Sequence, residues 1–206
     1  MENWERSGQQ VFWGELAPCE HVLQIYDNDK TFLDSLEGFV GSGIIAGDGI
    51  IIFATPEHII ALEDRLIKQG FNIDELTASG TYISLNAQET LNSFMRDNWP
   101  DPDLFFKLVN NLLKRMQRHS GKVRAFDEMV ALLWAQGFTG ATMQLESLWN
   151  QLHKREEFSL FCAYPKMGFS GDKASSLKTI CAAHHKIIDG SPRPSTEIYY
   201  KTTITI

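Results

Sequence analysis

The chain has 206 residues, 43% hydrophobic and 22% charged, with a net charge of −7. That length fits one α/β domain with enough interior to fold without disulfides or metals as staples. The acidic balance argues against a nucleic-acid backbone or an anionic membrane as partner, since both require clustered Lys and Arg.

His21–Tyr26, HVLQIY, is the first strand expected. Asp27-Asn28-Asp29 breaks the run, and Lys30–Ser42 follows as a helix with Phe32, Leu33, Leu36, Phe39 and Val40 at helical spacing. Gly47-Asp48-Gly49 is a turn into Ile50–Ala54, a continuous apolar run of the kind buried on both faces of a parallel sheet. Thr55 is placed to cap the next helix, with Pro56 in its first turn and Gly70 at its end. Thr81–Leu85 is a third strand, followed by helices at 87–96 and 103–119. Val123–Phe126 is a fourth strand, with helices at 128–136 and 139–155 after it, and Phe158–Ala163 a fifth. Gly168–Asp172 is a turn, Ala174–Ile188 a long helix, and Gly190–Ser195 a Gly/Pro/Ser stretch. Glu197–Ile206, EIYYKTTITI, is a β-branched terminal strand, expected antiparallel at an edge. An uncovered edge would invite pairing with a second copy, so a homodimer is an expectation. Strand–helix alternation predicts a mostly parallel sheet of five or more strands, with helices on both faces.

Lys114, Arg115, Arg118, Lys122 and Arg124 form a basic patch near a helix end, where cations suit the dipole. Cys19, Cys162 and Cys181 form no C-x-x-C pair, which suits a reducing cytoplasm. The N-terminal segment has no signal-peptide pattern, and no apolar run is long enough to span a bilayer.

Ligands of open α/β sheets bind beyond the carboxyl ends of the strands, where a phosphate-cradling first loop would read G-x-x-x-x-G-K-[ST]. Gln24–Thr31 reads QIYDNDKT, so Lys30 and Thr31 fit while Gln24 and Asp29 replace both glycines. Those glycines let backbone N–H groups approach phosphate oxygens without Cβ interference. Asp27 and Asp29 would add repulsion of roughly 4 kcal/mol per contact at about 4 Å and an effective dielectric near 20. The loop therefore reads as a degenerate phosphate site. The alternative is a divergent nucleotide-binding ATPase-like protein using Lys30, Thr31, Asp127 and Glu128. Against that stands a local role for the acidic pair, with Asp127 capping the next helix and Glu128 in its first turn.

Of the aromatic residues near strand exits, Phe53, Trp149 and Phe161 suit core packing; Tyr26 and Tyr164 end their strands with a hydroxyl. His21, His58, Cys162, Cys181, His184 and His185 show no metal-ligand spacing, and the adjacent His184 and His185 would diverge on a helix. Cys162 reads as an inert core thiol. No metal site, cofactor or catalytic residue is assigned. The residues assigned to a ligand pocket are Tyr26, Asp27, His58, Phe126, Glu128, Cys162 and Tyr164.

VRAFDEMVALLWAQG, LESLWNQL and FSLFCAYP, with HVLQIYDND, GDGIIIFATPEH and QGFNIDELTASGTYISLNAQETL before them in order, resemble the MEDS sensory domain of methanogen and methylotroph sensor proteins. The resemblance spans about Gln10 to Ile188, leaving 189–206 as a tail to a single domain. Where the family commonly reads Phe-Gly-Glu-Met-Val, this chain has Phe126-Asp127-Glu128-Met129-Val130. The resemblance implies a three-layer RecA/KaiC-like core with a degenerate phosphate loop. It also implies a non-catalytic prokaryotic sensor of small hydrocarbon derivatives that signals through a partner protein. No kinase or helix-turn-helix segment follows, so a stand-alone sensory domain is expected. By family position, His21, Tyr26, Glu128, Cys162 and Tyr164 carry over, without assigned roles.

Overall fold

The computed structural model describes residues 3–7, 13, 20–169, 174–190 and 197–202. The strands are β1 (Asn3–Ser7), β2 (His21–Tyr26), β3 (Gly49–Ala54), β4 (Tyr82–Asn86), β5 (Met95–Arg96), β6 (Trp99–Pro100), β7 (Val123–Asp127), β8 (Ser159–Pro165), β9 (Lys186–Gly190) and β10 (Glu197–Thr202). The helices are α1 (Asp29–Ala46), α2 (Pro56–Lys68), α3 (Ile73–Ala78), α4 (Ala87–Phe94), α5 (Pro102–Gln117), α6 (Met129–Ala135), α7 (Thr139–His153) and α8 (Ala174–Ala182). One eight-stranded sheet runs β1-β10-β9-β2-β8-β7-β3-β4, and β5 and β6 form a separate antiparallel pair. The six strands from β9 to β4 are parallel.

Period-two alternation divides the central strands between two cores. Val22, Ile50, Ile52, Phe126, Phe161 and Ala163 pack beneath α1 and α2. Leu23, Ile51, Phe53, Val123, Ala125, Leu160 and Cys162 pack against α4, α5, α6, α7 and α8. The fold is thus a three-layer α/β sandwich, as expected. Local signals hold where they were strongest. Asn28 caps α1, Thr55 caps α2, and Gly47 and Gly70 take the left-handed conformation beyond the helix ends.

Three expectations are corrected. Ala174–Ile188 is not one helix: α8 stops at Ala182 and Lys186–Gly190 joins the sheet beside β2. The terminal strand is antiparallel but not at the edge, because β1 pairs with it and becomes the edge strand, so the edge on which the homodimer expectation rested belongs to β1. Arg124 is no surface cation: it is 5% exposed within β7 and its Nε donates to Asp48 Oδ2 at 2.8 Å. Cys19 and residues 170–173, 191–196 and 203–206 lie outside the described residues, and with them most of the expected turn and Gly/Pro/Ser stretch. Among the described residues no helix is long and apolar enough to cross a membrane.

Candidate functional site

Connections from β2 and β3 run over the α1/α2 face, while those from β7 and β8 run over the opposite face. Where connections of neighbouring strands diverge, a crevice opens at their carboxyl ends. Glu128, immediately after β7, bridges the ends of β7 and β3, where this rule places a ligand. Its Oε2 accepts from the Thr55 backbone N–H beyond β3 at 2.8 Å, and its own N–H donates to the Phe53 carbonyl at 2.9 Å. Glu128 Oε1 is 2.8 Å from His58 Nδ1 in the first turn of α2. That hydrogen bond raises the His58 pKa, against the opposing effect of burial.

Phe32 carries the aromatic wall. Its ring stacks on Tyr26 at 4.9 Å, meets the His58 ring edge-on at 4.8 Å, and lies 5.6 Å from Phe126. Burial, and then the Glu128 and Asp29 carboxylates, raise the Tyr26 pKa, so its hydroxyl stays protonated. Tyr26, His58, Phe126 and Glu128 are therefore one contiguous group at the strand ends, linked through Phe32, with Phe126 fully buried within it. Asp27 lies at its rim, exposed, with Lys166 Nζ at 3.2 Å. Phe32 was read from the sequence only as a core residue of its helix.

No phosphate cradle stands here. The connection from β2 to α1 is only Asp27-Asn28, and Asn28 Oδ1 already accepts the Thr31 backbone N–H at 3.0 Å. Lys30 points outward, 79% exposed, with its ammonium 2.7 Å from Asp34. Asp127 faces the other side of the sheet, where its two oxygens accept from the Met129 backbone N–H at 2.7 Å and Trp149 Nε1 at 2.5 Å. Burial pushes its pKa up to about 8. Of the four residues of the ATPase-like alternative, Lys30, Thr31 and Asp127 are thus engaged elsewhere, and Glu128 is taken up by Thr55 and His58.

Cys162 and Tyr164 belong to a second group, on the α7/α8 face. Tyr164 donates to Glu146 Oε1 on α7 at 2.6 Å, and Cys162 Sγ is 3.4 Å from His21 Nε2. His184, after α8, comes within 3.5 Å of Glu146 Oε2. It is positioned by a reciprocal contact in which His185 donates its backbone N–H to the His21 carbonyl at 2.8 Å and its Nδ1 accepts the His21 N–H at 3.0 Å. Burial lowers the pKa of His21 and brings that of His184 to about 4, so both rings are neutral. These residues show no metal-ligand spacing along the chain, yet the fold brings them together: His21, Glu146, Cys162 and His184 place their donor atoms within 4.8 Å of one another. Glu146 and His184 went unassigned because their approach depends on β9, which was read as helix.

A groove of about 320 Å³ lined by Ile67, Gly70, Phe71, Asn72, Ile73 and Asp74 lies at the far end of α2, away from both groups.

The His58–Glu128 pair predicts a pH dependence. A raised folded-state pKa means that the folded chain keeps a proton the unfolded chain releases above its own value near 6.5. The stabilisation is therefore complete below that pH and lost as pH rises through the folded value. The expected result is a Tm difference between the parent protein and His58→Gln that is larger near pH 6 than near pH 9, by thermal unfolding.

No curated protein matches this chain. Solved structures resemble it at low identity. One is an uncharacterized Pyrococcus horikoshii protein in complex with an unknown peptide, with TM-score 0.63, 11% identity, and 85% of this chain and 79% of that chain covered. Another is a KaiC-like protein from Pyrococcus horikoshii, with TM-score 0.59, 9% identity, and 92% and 83% covered. At such identities the likeness concerns the fold. The family model of the MEthanogen/methylotroph, DcmR Sensory domain matches residues 20–185, and the chain belongs to this MEDS family of sensory domains.

Proposed function

We propose that the chain is a non-catalytic sensory domain whose strand-exit crevice takes a small, largely apolar molecule, a hydrocarbon derivative by the family resemblance, and that occupancy is passed to a partner protein. The observation carrying this reading is the replacement of a phosphate cradle by an aromatic wall. Phe32, Tyr26 and Phe126 pack together as buried rings where a nucleotide would need backbone amides, so an apolar ligand would enter by parting them rather than by resting on open surface. Small-molecule sites are mostly apolar, with a few convergent polar groups that fix orientation. Glu128 and His58 supply those groups here. A ligand gripping both touches α1, α2 and the start of α6 at once. It can favour one arrangement of these elements over another, and a partner docked on them would read that shift.

The test is a thermal-shift screen of small alcohols, carboxylic acids and halocarbons beside ATP with Mg²⁺. At about 100-fold excess over Kd a ligand adds roughly 2.7 kcal/mol, or about 5–10 °C for a domain of this size. The expected result is such a rise with one apolar class, lost in Phe32→Ala and weakened in Glu128→Gln, and none with ATP. A rise with ATP that Lys30→Ala removes, with none from the apolar panel, overturns the reading.

A further inference from the structure

We propose that His21, Glu146, Cys162 and His184 form a binding site for one divalent transition-metal ion, zinc by its donor set, between the sheet and helices α7 and α8. The four side chains come from β2, α7, β8 and the segment after α8, and all are buried. This site lies on the opposite face of the sheet from the ligand crevice and does not depend on the function proposed there.

The directions of the hydrogens carry the argument. A carbonyl can only accept, so the 2.7 Å contact of His184 Nδ1 with the Ile180 carbonyl fixes the ring hydrogen on Nδ1 and leaves a bare lone pair on Nε2. His21 Nδ1 likewise faces Asn150 Oδ1, at 3.2 Å, which leaves its Nε2 bare. Tyr164 satisfies only Oε1 of Glu146. Glu146 Oε2 and His184 Nε2 are buried with no hydrogen-bond partner. Two imidazole lone pairs and a carboxylate oxygen thus converge with a single S–H among them. Buried acceptors without donors are costly, and converging ones call for an electropositive centre.

The geometry and donor chemistry fit an ion. Around tetrahedral zinc, with metal–N about 2.0–2.1 Å and metal–S about 2.3 Å, neighbouring donor atoms lie about 3.3–3.6 Å apart. Here His21 Nε2 is 3.4 Å from Cys162 Sγ and 3.8 Å from Glu146 Oε2, and His184 Nε2 is 3.5 Å from Glu146 Oε2. Thiolate with two imidazoles selects against Mg²⁺ and Ca²⁺. Asn150, the Ile180 carbonyl and Tyr164 hold the ligands from outside, as second partners of metal ligands do. Four protein donors leave no position for water, so the ion ties β2, β8, α7 and the segment before β9 together.

The experiment uses the whole chain, stripped with a chelator and titrated with Co²⁺ and Zn²⁺. The expected result is one equivalent of Co²⁺ with tetrahedral visible bands and a thiolate-to-cobalt charge-transfer band, displaced by Zn²⁺, which also raises Tm. Cys162→Ser loses the charge-transfer band, while Cys181→Ser keeps it. Asn150→Ala weakens Zn²⁺ binding about 10–100-fold. If Cys162→Ser does not fold, the cobalt spectrum of the parent protein and the Asn150→Ala affinity decide. A folded parent protein that takes up neither ion at micromolar concentration, or a cobalt spectrum without thiolate character, overturns the proposal and leaves a proton shared by Glu146 and the histidines as the occupant.

Discussion

Arg124→Met is expected to lower the free energy of unfolding by about 3–5 kcal/mol. Arg124 is the second residue of β7, and its guanidinium is surrounded by acceptors. Nε donates to Asp48 Oδ2 at 2.8 Å, and Nη1 donates to the Phe39 carbonyl at 3.1 Å, the Ser42 hydroxyl at 2.9 Å and the Trp13 carbonyl at 3.0 Å. Its stem lies so close to α1 that a Cβ on Gly43 would sit 2.8 Å from Arg124 Cδ. Methionine preserves much of the volume but takes the guanidinium from the nearly buried Asp48 carboxylate and the Trp13 carbonyl, while the Phe39 carbonyl keeps the Ser42 hydroxyl. The cost is that of stranded partners rather than the net worth of the ion pair. Adding Asp48→Leu to the variant should therefore recover part of the loss. Urea denaturation checks this, with a lower midpoint and an unchanged slope expected. A loss under about 1 kcal/mol would mean that water replaces the guanidinium at this point.

Trp149→Ala is expected to cost a similar amount, about 3–5 kcal/mol, for a different reason. Trp149 is fully buried against Phe53, Phe105 and Phe158, with ring centroids 6.0, 5.0 and 6.1 Å away. Truncation opens a cavity under β3 and β7 and also removes the indole donor to Asp127. Trp149→Phe separates the two effects. It fills most of the space but leaves Asp127 Oδ2 without that donor, so about 1–3 kcal/mol of loss should remain. Equal stability of Trp149→Phe and the parent protein would show that the hydrogen bond contributes nothing beyond packing.

The legible parts of the fold were those in which local signal and tertiary role coincide. Ile50–Ala54 announces a central strand because five consecutive apolar residues can be satisfied only by burial on both faces. Thr55-Pro56 announces a helix start because cap and ring both act locally. Where tertiary pairing overrides local preference, the sequence misleads. ICAAHHKII has helical spacing, yet its last part becomes β9 because β2 offers an open edge. That error hid the buried cluster, since a continuous helix cannot bring His184 to His21. Asn3–Ser7 has no apolar alternation, and β1 is defined only by its pairing with β10. Arg124 was invisible for the converse reason: one cation in VRAFD looks like a solvated face until Asp48, the Phe39 and Trp13 carbonyls and the Ser42 hydroxyl are seen around it. The exit site was half legible. Tyr26 and Glu128 stand at strand ends in the sequence, but nothing local says that His58 bonds Glu128 or that Cys162 and Tyr164 face the other way.

The strand-exit crevice is tested most directly by NMR of the histidine-labelled chain, titrated in parallel with the apolar panel and with ATP and Mg²⁺. The predicted result is a saturable movement of the His58 ring resonances with one apolar class, the His184 resonances unmoved, and no movement at either with ATP at millimolar concentration. A saturable response to ATP that vanishes in Lys30→Ala, with His58 indifferent to every apolar compound, would contradict it.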